Sequence, residues 1–154
     1  MNESIYLREN AAVTAAISSG QYRSGLDEFL QEGQFVERRG VIFNGTQGND
    51  LVFSAGQKSS VIGVKVASAT VGSRLINAEV ESFGFGEQDV LLGSPGRNVF
   101  YLGDNALEAP RDFYLGNGAA DFATVRFFDP TSEDAIYLAG QPEDYEFGRC
   151  IIKR

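Results

Sequence analysis

The sequence predicts a mainly β chain behind a short N-terminal helical hairpin, and three observations carry that expectation. Apolar residues near the start recur at helical spacing, the period changes to short β-rich runs beyond Gly40, and 18 glycines against 4 prolines punctuate those runs. Glycine reaches positive φ without steric penalty, so this composition reads as many tight turns between short strands. A length of 154 residues with 43% hydrophobic content suits one compact unit. We therefore divide the chain into a helical N-terminal module over 1–39 and a β domain over 40–154, the two packed together.

From about Ser4 to Ser19, Ile5, Val13 and Ile17 lie on one four-residue ladder flanked by Ala12 and Ala16, which predicts a helix ended by Gly20. A second helix starts at Ser24, a capping residue answered by Asp27; Phe29 and Leu30 give it an apolar side and Gly33 stops it. The pair reads as an αα-hairpin cap. Strands are expected at Val41-Ile42-Phe43, Leu51-Val52-Phe53, Val61 to Val66, Val90-Leu91-Leu92, Val99 to Leu102, Phe113-Tyr114-Leu115, Thr124 to Phe128 and Ala135 to Leu138. Each is rich in β-branched or aromatic residues and bounded by turn residues. Adjacent aromatics on such runs should send one ring inward and one outward.

A formal charge of −8 disfavours nucleic acid, whose phosphates demand clustered Lys and Arg. No apolar run approaches the length of a membrane span. Met1-Asn2-Glu3-Ser4 carries neither the basic nor the apolar region of a cleavable secretory signal, so any export is expected to use another one. The chain has no histidine, which removes histidine triads and histidine metal sites. Its one cysteine, Cys150, forms no intrachain disulfide and reads as a small apolar residue beside Ile151 and Ile152. Gly84, Gly86, Gly93 and Gly96 lack the following Gly-Lys-Ser/Thr of a phosphate loop and read as turns. The acidic groups Glu133-Asp134 and Glu143-Asp144 with Glu146 read as solvated turns, and a carbohydrate-active enzyme using Asp129 or Glu133 is the rival reading.

The most informative segment is Gly45-Thr46-Gln47-Gly48-Asn49-Asp50-Leu51-Val52-Phe53: a six-residue turn closing on Asp50, then a short strand with Val52 pointing inward. A related unit runs from Gly93 to Tyr101 with Asn98 in place of the aspartate, and Asp89 lies nine residues before Asn98. These units resemble the nonapeptide of RTX (repeats-in-toxin, hemolysin-type calcium-binding) proteins. The opening Tyr6 to Ala16 with Ser24-Gly25, Phe29, Gly33 and Arg38 is similar to a helical module that precedes such repeats in oxygenic photosynthetic bacteria. It departs from that module at Ala11, Ala12 and Glu28, where Asn-Pro-Asp-Val and a histidine are usual. Asn98 to Asp104, Ala120 to Val125, Phe128-Asp129, Glu133 to Gly140 and Asp144-Tyr145 are similar to the closing region of the same proteins, so the resemblance spans nearly the whole chain.

The resemblance implies a degenerate parallel β-roll or β-helix-like body. It also implies calcium as a ligand, and export by a type I-like system to the cell surface or medium, with a cytoplasmic location as the alternative. In an RTX roll, ligating turns recur eighteen residues apart. Ser68 and Leu107 stand that far beyond Asp50 and Asp89, and neither is a strong ligand. The metal positions expected are therefore irregular, at Asp50, Asp89 and Asp104, set against the plainer role of a turn aspartate bonding its own backbone. The function expected is a non-enzymatic structural or interaction protein with a protein partner, a second copy of the chain included. The alternative is an intracellular assembly partner that has lost its metal sites.

Overall fold

The computed structural model describes residues 1–72, 76–104 and 111–145, without the side chains of Asp104 and Pro142. The chain opens with three helices: α1 (Glu3–Glu9), α2 (Ala11–Ser18) and α3 (Gly25–Gln31). Ser24 caps α3 as its sequence predicts, its hydroxyl accepting the Asp27 N–H at 3.0 Å. The first expected helix is instead two. Asn10 leaves helical geometry at φ −128°, ψ 73°, and its side-chain amide donates to the carbonyls of Tyr6 and Arg39, both at 2.8 Å. Asparagine competes for backbone partners in this way, and here the competition ties the break to the linker beyond α3. Tyr6, Val13 and Phe29 of the module form a buried cluster with Val41, just beyond it. Glu28, only 1% exposed, accepts the Tyr6 hydroxyl and an Arg38 N–H, both at 2.5 Å.

The strands are β1 (Ile42–Asn44), β2 (Leu51–Phe53), β3 (Lys58–Ile62), β4 (Val66–Val71), β5 (Ile76–Val80), β6 (Gln88–Leu92), β7 (Arg97–Tyr101), β8 (Gly103–Asp104), β9 (Arg111–Asp112), β10 (Phe122–Arg126) and β11 (Ala135–Tyr137). Two sheets are wholly parallel, one ordered β1-β3-β7-β11 and the other β10-β6-β2. The chain passes alternately from one to the other. An antiparallel β4–β5 hairpin and an antiparallel β8–β9 pair interrupt that alternation. The result is a mixed fold of helices and parallel sheets.

The hairpin corrects the spacing expected from the sequence. Ile42 lies opposite Ser60, eighteen residues on, but the next step on the second sheet, Asp50 to Asp89, spans 39 residues. Ser68 is therefore no counterpart of Asp50: it sits on β4, its hydroxyl donating to Glu79 at 2.9 Å. Leu107, Glu146, Cys150, Ile151 and Ile152 lie outside the described residues.

Val52 and Leu91 face Val61 and Phe100 between the sheets. On its other face the four-stranded sheet buries Ile42, Ile62, Val99 and Tyr101 under Val66, Ala69, Ile76, Ala78 and Val80 of the hairpin, with Phe113 and Tyr114. Both aromatics of Phe100-Tyr101 are thus buried, one on each side. Among the described residues the three-stranded sheet has no such cover: Leu51 and Phe53 are 57% and 59% exposed. Three expected strands are revised. The run Val61 to Val66 is broken, with β3 ending at Ile62 and β4 beginning at Val66. Phe113 and Tyr114 both point into one cluster, which a strand forbids, and Tyr114 takes φ 62° in a turn. The run after Thr124 ends at Arg126 because Phe127 takes φ 58°.

The helical module closes the outer edge of β1, where the Asn2 N–H donates to the Ile42 carbonyl at 2.6 Å and Phe29 meets Phe43 edge-on at 6.0 Å. Among the described residues no helix is long and apolar enough to cross a membrane.

Candidate functional site

The expected metal positions Asp50 and Asp89 are neighbours, one at the entrance of β2 and the other in β6, because the parallel register sets Leu51 opposite Val90. Asp89 is fully buried. Its Oδ1 accepts the Asp50 N–H at 2.8 Å and its Oδ2 the Tyr114 hydroxyl at 2.6 Å. Oδ2 of Asp50 accepts the N–H and hydroxyl of Thr46 at 2.6 and 2.9 Å. Gly63 completes the corner: a Cβ there would collide with the Tyr114 hydroxyl and the Asp89 carboxylate, so only glycine lets the strand end pass.

Glu87 joins this corner. It is buried, and its Oε2 finds no donor among the described residues. Burial pushes its pKa up, and the charges of Asp89, Asp50 and Asp121 push the same way. Burial also raises Asp89, partly offset by the Tyr114 hydroxyl and the Asp50 N–H. Tyr114 is raised in turn by burial and then by its bond to Asp89, which keeps its proton on the donating oxygen. At Asp121 burial opposes ionisation, yet the N–H groups of Gly86, Asn117 and Gly116 outweigh it and hold the carboxyl below its usual range.

The opposite corner carries a second row in which Ser59, Asn98 and Asp134 stand side by side on β3, β7 and the approach to β11. Oδ1 of Asn98 accepts from the hydroxyls of Ser54, Ser59 and Ser94 at 2.8, 3.0 and 3.1 Å and from the Ser94 N–H at 3.2 Å. Its Nδ2 donates to the carbonyls of Ser94 and Gly96 and to Asp134 Oδ1, at 2.8, 2.7 and 3.0 Å. The same Asp134 oxygen accepts the Asn98 N–H at 2.7 Å, and Oδ2 takes the Asp129 N–H at 2.9 Å. Asp50 to Asp89 and Asn98 to Asp134 thus repeat one device: a backbone N–H donates to the side chain of the equivalent residue on the next strand.

Calcium takes six to eight oxygens facing the ion. Both oxygens of Asp89 and of Asp134, and one of Asp50, have protein hydrogens directed at them, and Glu87 Oε2 offers one uncommitted oxygen. Among the described residues this donor set does not fit a calcium centre. Asp104 lies on β8, paired with Arg111 of β9 and not with β2 or β6, and its side chain is outside the described part. Of the residues weighed for acid/base work, Asp129 caps a short turn by accepting from Thr131 and Ser132. Glu133 is on the surface, 3.9 Å from Arg97.

Sequence reasoning missed Glu87, Tyr114 and Asp134 as corner residues. The signal within reach was Asp134 standing just before an Ala-Ile-Tyr strand, as Asn98 stands before Val-Phe-Tyr. Comparison with protein-family models, with curated proteins and with solved structures finds no match to the chain.

Proposed function

We propose that the chain is a non-enzymatic interaction module of the RTX-like kind, its strands wound as a degenerate β-roll in which hydrogen bonds stand where such rolls place calcium. The observation that supports this reading best is the commitment of the Asp89 and Asp134 carboxylates, at both oxygens, to N–H and O–H donors. Carboxylates so occupied serve as braces between successive strands, not as acid/base groups or ligands.

The outer face of the three-stranded sheet is where a protein partner docks. Leu51, Val90 and Thr124 form one row across it, and Phe53, Leu92 and Arg126 the next. Among those outward positions there is no carboxylate, although the chain as a whole carries −8. Parallel sheets are ordinarily covered on both faces, and a contiguous exposed apolar patch marks an interaction site. Photo-crosslinking groups placed at 51 and 53 should trap one defined partner, whereas a group at Gln21 on the helical module should not. Equal trapping at both places, or none at 51 and 53, would count against this reading.

The second reading, an intracellular assembly partner that has lost its metal sites, draws on the same donors at Asp50 and Asp89. Cell fractionation separates the two. Recovery from the surface or medium supports export, and recovery from the cytoplasm supports the assembly partner.

A further inference from the structure

The outer face of the three-stranded sheet carries a pattern of side chains that complements itself. Across β10, β6 and β2 the outward rows are Phe122 and Gln88, then Thr124, Val90 and Leu51, then Arg126, Leu92 and Phe53. Phe122, Leu51 and Phe53 are exposed. Arg126 carries the one charge in these rows. It is exposed too, and on a chain of net charge −8 no described carboxylate pairs with it.

Taking this face as the docking surface, we propose that its partner is a second copy of the chain, seated face to face about a two-fold axis. An axis along the strands lays β10 of one copy on β2 of the other. Arg126 then meets Phe53, Thr124 meets Leu51, and Val90 and Leu92 meet their own copies. An axis across the strands lays β10 on β10 and brings Arg126 onto Phe122, with Val90 on Val90. Either way the cation covers a phenyl ring of the other copy, an attraction that grows as water leaves, and never meets its own copy. No carboxylate faces another in these rows, although each copy carries −8. Sheets pack about 10 Å apart with their strands within about 30° of one another, which both arrangements allow. One cation per face gives an acidic partner little to bind. Three strands span only about 14 Å across, so the face falls short of the roughly 800 Å² per partner of a standard interface and the dimer is weak, with Kd on the order of 100 μM.

Sedimentation velocity and ¹⁵N–¹H spectra of the purified whole chain, over a concentration series reaching about 1 mM, test this. The mass should rise toward that of a dimer while amides of β2, β6 and β10 shift with concentration. The double variant Leu51→Asp, Phe53→Asp should keep its circular dichroism, both side chains being exposed, and stay monomeric throughout. Arg126→Glu should weaken the dimer roughly fivefold or more, whereas Arg126→Lys keeps most of the affinity. In a mixture of labelled and unlabelled copies, an isotope-filtered contact from Arg126 to the ring of Phe53 or of Phe122 identifies the axis. A dimer that survives Leu51→Asp, Phe53→Asp would overturn the proposal. A pure chain that stays monomeric while crosslinking groups at 51 and 53 trap a different protein would also overturn it and leave the docking face standing. A monomer with nothing trapped removes both.

Discussion

At one corner of the molecule Asp50 and Asp89 meet as carboxylates with Glu87 buried beside them; at the other, Ser59, Asn98 and Asp134 stand in a row built around a carboxamide. A carboxamide both donates and accepts, so Asn98 bonds to the strands on either side and to its own turn at once. An ionised carboxylate only accepts. Asp89 must therefore borrow donors from the Asp50 backbone and the Tyr114 hydroxyl, and Glu87 is left with an oxygen unmet by any described group. The comparison teaches that a carboxylate brace depends on donors lent by its neighbours, whereas an amide brings donor and acceptor together in one side chain.

The largest effect should follow from Asn98→Ala. It strips the hydroxyls of Ser54, Ser59 and Ser94, and the Asp134 carboxylate, of a buried partner, and we expect a loss of about 3 kcal/mol or more in urea melts. Asp50→Ala, in a half-buried turn, should cost about 1 kcal/mol. Equal losses would erase the difference between the corners.

Next in size is the loss of a single donor at each corner. Tyr114→Phe leaves Asp89 Oδ2 buried without its hydroxyl and should cost roughly 2 kcal/mol, whereas Ser94→Ala should cost less than about 1 kcal/mol because Asn98 Oδ1 keeps other donors. Thermal melts of the two variants side by side give the answer, and a reversed order would break the comparison.

Smaller again is the pH dependence, and it belongs to the carboxylate corner. Glu87 and Asp89 have folded pKa values raised above their usual range. The folded state therefore binds their protons more tightly than the unfolded chain does, so their stabilising contribution is full below the ordinary carboxylate range and is lost as pH rises through the folded values. Asp27, Asp121 and Asp129 are lowered and act oppositely, losing their contribution as acid protonates them. Stability should thus rise as the pH is lowered from neutral through the folded values of Glu87 and Asp89, and fall again once acid protonates Asp27, Asp121 and Asp129, below about pH 4. Glu87→Gln should flatten the rise, and an unchanged profile in that variant would remove Glu87 from the account.

Much of this was legible in the residues themselves. The turn and strand from Gly45 to Phe53 put Val52 inward and Leu51 and Phe53 outward as its alternation predicts, and Ser24 caps its helix. The neighbouring of Asp50 and Asp89 was not, because it depends on a 39-residue step that contains the hairpin. That hairpin was itself half visible: Ile76, Ala78 and Val80 alternate inward, but the Asn77 and Glu79 between them have low β propensity and mask the strand. Glu87 was out of reach, since its burial comes from tertiary packing and nothing in its local pattern announces it.

The claim that hydrogen bonds brace the corners in place of calcium is tested most directly by a ¹⁵N–¹H correlation spectrum of the whole chain in excess chelator, repeated after adding millimolar calcium. We predict a dispersed, folded spectrum in chelator, with calcium raising the melting temperature by a few degrees at most, a gain of about 1 kcal/mol or less. A collapsed spectrum in chelator that disperses only when calcium is added would contradict it.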